Sequence, residues 1–125
     1  MISYSVYKLI HILGICGVVM GLGAAFAASR VSVSHSGEQK PALTRKIIAL
    51  THGIGLFLVL LGGFGMLARL QIHWPLPWWV LVKFAVWLGL GAWLTVSYKT
   101  ASKGNAAWLV SLALVALAAI VVLAK

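Results

Sequence analysis

The chain has 125 residues, of which 62% are hydrophobic, a mean hydropathy of +1.06, and one acidic residue against ten Lys and Arg. That composition leaves no room for a soluble domain and gives carboxylate-driven proton coupling no residue to run on. The net charge of +9 does not point to nucleic acid, because the cations sit mainly at the ends of apolar runs, where they set topology and meet anionic headgroups.

Four apolar stretches occupy nearly the whole length, over about 4–28, 45–69, 77–98 and 106–124. A hydrocarbon core of ~30 Å needs about 20 apolar helical residues, and each stretch meets or nearly meets that length. The runs do not alternate in polarity, so helices rather than barrel strands are expected. The expected architecture is all-α: one integral membrane domain, a four-helix bundle, antiparallel and up-down-up-down because the connections are short.

The first stretch is too long for the apolar core of a signal peptide and is read as retained. It carries His11 and then Gly14, Gly17 and Gly21, whose spacing forms a stripe that admits another helix or a flat ligand. Cys16 stands alone and is expected to be a small packing residue. The polar segment after it, Ser29 to Leu43, holds His35 and the sole acid, Glu38, and reads as a loop.

Pro41 precedes the second stretch, which contains Thr51-His52-Gly53 and then Gly62, Gly63 and Gly65. The connection that follows holds Trp74, Trp78 and Trp79, an aromatic belt at a membrane interface, with His73 among them. The third stretch carries Lys83 and Trp87; the fourth is mostly Ala, Val and Leu, with Trp108 and Ser111. If the N-terminus lies on one side, the other side gathers Arg30, Lys40, Arg45, Lys46, Lys99 and Lys103 against Lys8, Arg69 and Lys125. The excess marks that second side as cytoplasmic, which puts both termini outside.

Residues that a bilayer penalises carry the functional signal: Lys8, His11, His52 and Lys83. Lys8 reads as an interfacial side chain that snorkels. His11 and Lys83 lie seven and six residues into two helices of the same direction, about 10 Å below one face. They should share a level, with His52 displaced from His11 by something near 10 Å. A bis-histidine haem between His11 and His52 therefore fits badly, and His11 with Lys83 fits better. A neutral imidazole binds haem iron, and Lys83 suits a propionate or a second axial position. Gly14 would open space for the porphyrin, with Trp87 and Phe84 beside it. The competing readings are an interhelical hydrogen bond for each histidine, snorkelling for Lys83, and helix packing for the glycines.

Tyr7-Lys8-Leu9-Ile10-His11, the Thr51-His52-Gly53 segment with Gly62-Gly63, and Trp79-Val-Leu-Val-Lys83-Phe resemble the small SirB-type membrane proteins. Those in turn share a broader likeness with HemJ-type protoporphyrinogen oxidases and CopD-type domains. The resemblance implies b-type haem at His11 and Lys83. HemJ-type sequences have a tryptophan and a further basic residue after the first histidine, and Tyr-His near the end of the third helix. This chain has Gly17-Val-Val-Met-Gly21 and Ser97-Tyr98-Lys99 in those places.

Three roles stay open on the sequence: a haem b protein of a bacterial inner membrane that exchanges electrons with a redox partner, a HemJ-like oxidase, and a non-catalytic subunit of a larger membrane complex. The glycine stripes would also serve a homo-oligomer.

Overall fold

The computed structural model describes residues 2–34, 42–100 and 105–123, and among them all regular structure is helical. The elements are α1 (Tyr4–Ser34), α2 (Ala42–Arg69), α3 (Trp78–Thr100) and α4 (Ala106–Leu123). Three of these helices are long and apolar enough to cross a membrane. The apolar part of α4, Trp108–Val121, is shorter.

The boundaries follow local chemistry. Ser3 caps α1, its carbonyl accepting from Val6 N–H at 3.1 Å and its hydroxyl lying 3.4 Å from the same nitrogen. The helix runs past 28 to Ser34, a correction to the expected loop. A loss of hydrophobicity is not a helix stop, and Ser29 needs no loop because its hydroxyl donates to Ala25 O one turn back at 2.6 Å. The residues His35, Glu38, Lys40 and Pro41 lie outside the described residues, as do Lys103 and Lys125. The α2 C-terminus closes in a left-handed cap: Gln71 has φ 56°, its N–H donates to Ala68 O, and Ile72 N–H reaches Leu67 O at 3.0 Å. Asn105 opens α4 by accepting Leu109 N–H on its carbonyl, and its side-chain oxygen takes Arg30 Nη2 from α1 at 3.4 Å.

The closest packing is between α1 and α2. Their contacts run in opposite order along the chain: Gly62 faces Tyr7 and His11, Gly55 faces Gly14 to Val18, and Gly21 faces His52. Glycine is required here because backbone meets backbone. A Cβ on Gly14 would stand 2.5 Å from Val59 N, and one on Gly62 2.6 Å from His11 N. Helix α3 leans on α1 and more lightly on α2, while α4 packs chiefly on α3.

The buried core is small: Val18, Leu22 and Ala25 from α1, Ile48 from α2, Val86 from α3 and Val121 from α4. Large apolar side chains such as Leu13, Met20, Phe57, Leu88 and Leu109 are exposed instead. Cys16 is exposed as well, not packed inside. It stands two residues from Gly14, about 200° around the helix, so the face that seats Gly14 on α2 turns Cys16 outward.

Candidate functional site

His11 sits near one end of the α1–α2 seam, half-buried, with Gly63 of α2 against its ring. Its Nδ1 lies 2.7 Å from the carbonyl oxygen of Val59. A carbonyl only accepts, so Nδ1 carries the hydrogen and donates. In the neutral ring this leaves the lone pair on Nε2. A backbone carbonyl that holds one imidazole nitrogen and frees the other is the arrangement that orients metal-binding histidines.

Lys83 of α3 stands within electrostatic range of His11. Its Nζ is 5.2 Å from the ring centroid of Trp79, one turn earlier on the same helix, in a cation–π contact. One turn later, Trp87 donates its Nε1–H to Leu56 O of α2 at 2.9 Å, which ties α3 to α2. Its ring is stacked on that of Phe84, with centroids 5.5 Å apart and an interplanar angle of 20°. Phe84 is itself exposed, so this aromatic pair reaches the outer surface of α3.

The other two candidates are placed differently. Gly14 is buried against the backbone of α2, where the helix itself fills the space a porphyrin would need. His52 is 2% exposed, among the most enclosed side chains described. Its Nδ1 is 3.3 Å from Val18 O on α1 and its Nε2 is 3.1 Å from Leu90 O on α3. A neutral ring donates to one of these carbonyls at a time, but both nitrogens are walled in by backbone oxygen. His52 ties three helices together and offers neither nitrogen to a ligand. It meets α1 at Gly21, ten residues past His11, a rise of about 15 Å. No single flat group spans both rings.

A second polar cluster, absent from the sequence reading as a site, lies between the start of α2 and the end of α3. A cleft of about 440 Å³ opens there beside Arg45, Lys46, Thr95, Tyr98 and Lys99. The signal was in the chain, since Arg45, Lys46 and Lys99 fall on one side of the expected bundle, but it reads equally well as topology.

Among the described residues no group of three or more His, Cys, Asp or Glu could hold a metal ion by itself. No family model, curated protein or solved structure matches the chain.

Proposed function

We propose that this chain is an integral membrane protein, antiparallel and up-down-up-down, that binds a b-type haem at His11 and serves a redox or electron-transfer role in a bacterial inner membrane. The membrane placement is supported by the inverted surface: apolar side chains face outward on every helix, while His52, Ser97, Ser29 and Ser111 are inside. The cation excess near the α1–α2 and α3–α4 connections supports a cytoplasmic position for them and outward termini.

The observation that carries the haem reading is the His11–Val59 hydrogen bond at 2.7 Å, which holds a neutral imidazole by Nδ1 and leaves the lone pair on Nε2. The donor set fits a group attached at His11 and lying along α3 rather than on the glycine stripe. Lys83 would pair with a propionate or act as a second ligand, and Phe84 and Trp87 would pack against the group. Bound there, the iron would supply one-electron exchange. The protein's own part is to fix the ring through Val59 O and to place a cation beside it.

An absorption spectrum of detergent-extracted protein from haem-replete cells tests this. A Soret band is expected, lost in His11→Ala and shifted or weakened in Lys83→Met. Colourless wild-type protein overturns the reading. The SirB-type and HemJ-type resemblance belongs to the same proposal and rests on the motifs around His11, His52 and Lys83.

A further inference from the structure

The cleft between the start of α2 and the end of α3 gathers three cations, Arg45, Lys46 and Lys99, with the hydroxyl-bearing Thr95 and Tyr98. Ten Lys and Arg share a single acid across the whole chain, so counter-charge for these three must come almost entirely from outside it. The Arg45 guanidinium lies 4.7 Å above the Tyr98 ring, which holds the cation over the cleft instead of letting it trail in solvent. The Tyr98 hydroxyl is itself buried and has no hydrogen-bond partner among the described residues. An oxyanion with several acceptor oxygens answers all of these at once, and a guanidinium beside ammonium groups and hydroxyls is the usual donor set for phosphate.

We infer that this cleft is a binding site for a phosphate-bearing anion, with the headgroup of an acidic phospholipid and free phosphate as the two sources of that chemistry. The inference rests on the proposed membrane placement for the lipid source, and on nothing said of His11 or haem. Arg45 and Lys99 pair with the phosphate from two helices, so an occupied site ties together α2 and α3, whose direct packing is light.

Full-length protein in neutral detergent is titrated with phosphatidylglycerol, with phosphatidylcholine of the same acyl chains, and with inorganic phosphate, and bound molecules are counted by native mass spectrometry. Tighter retention of phosphatidylglycerol than of phosphatidylcholine is expected, weakened about tenfold in the Arg45→Gln/Lys99→Gln double variant. Tyr98→Phe, which keeps the ring under Arg45, should weaken it about threefold. Lys8→Gln/Arg69→Gln, at the opposite end of the helices, should leave it unchanged. Inorganic phosphate that binds with the same dependence on Arg45 and Lys99 and displaces the lipid would name free phosphate as the source. Equal retention of both lipids without phosphate binding, or undiminished binding in the double variant, overturns the inference whether or not the protein is pigmented.

Discussion

The two ends of the α1–α2 seam each hold one histidine, and they use it in opposite ways. At one end His11 commits a single nitrogen to Val59 O and stays half-exposed. At the other, His52 is enclosed between carbonyls of two neighbouring helices, with Gly21 pressed against its Cα and Cβ. The same residue type thus makes a singly tethered, half-buried group in one place and an internal strut in the other. The difference comes from which neighbours supply carbonyls. His11 finds one on α2, whereas His52 reaches α1 and α3 together.

The largest expected effect is on the seam that carries both. Gly55→Leu would drive a side chain into α1, where even a Cβ stands 2.6 Å from Val18 N. It should destabilise the fold by about 3 kcal/mol, read as an earlier transition in mixed-detergent unfolding.

Next comes the contrast between the rings. His52→Leu removes a nearly dry residue and two polar contacts and should cost about 2 kcal/mol, while His11→Leu should cost roughly 1 kcal/mol in the same assay. If the two variants unfold together, or in reverse order, the two histidines do not divide the labour in this way.

The smallest effect sharpens the seam's geometry. Gly53 is two residues from Gly55 yet has nothing within 4 Å of a built Cβ. Gly53→Ala should therefore stabilise α2 by about 0.5–1 kcal/mol through helix propensity alone. A loss comparable to that of Gly55→Leu would mean the seam lies on a different face.

Helix number and type were legible in the apolar runs, because long stretches without alternation leave few other options. The end of α1 was not, since residues 29–34 turn polar without including Gly or Pro, and polarity stops a membrane span but not a helix. The glycines at 14, 17 and 21 were legible as a close-approach surface. That α2 fills it depends on register between two helices, which no single-helix pattern encodes. His11 stood out by its cost in an apolar run, but its partner is a backbone carbonyl, a group every residue has. The cleft at Arg45 and Tyr98 needed two helices brought together, and its charges had another sufficient explanation in topology.

The unbroken run of α1 from Tyr4 to Ser34 has a mechanical consequence. Its 31 residues make a rod of about 46 Å, and even at a steep 40° lean it would rise some 35 Å against a hydrocarbon slab of ~30 Å. In the proposed membrane placement the far tip would therefore stand clear of the slab as a stiff mast. Any body that gripped that tip would hold a lever whose other arm carries His11.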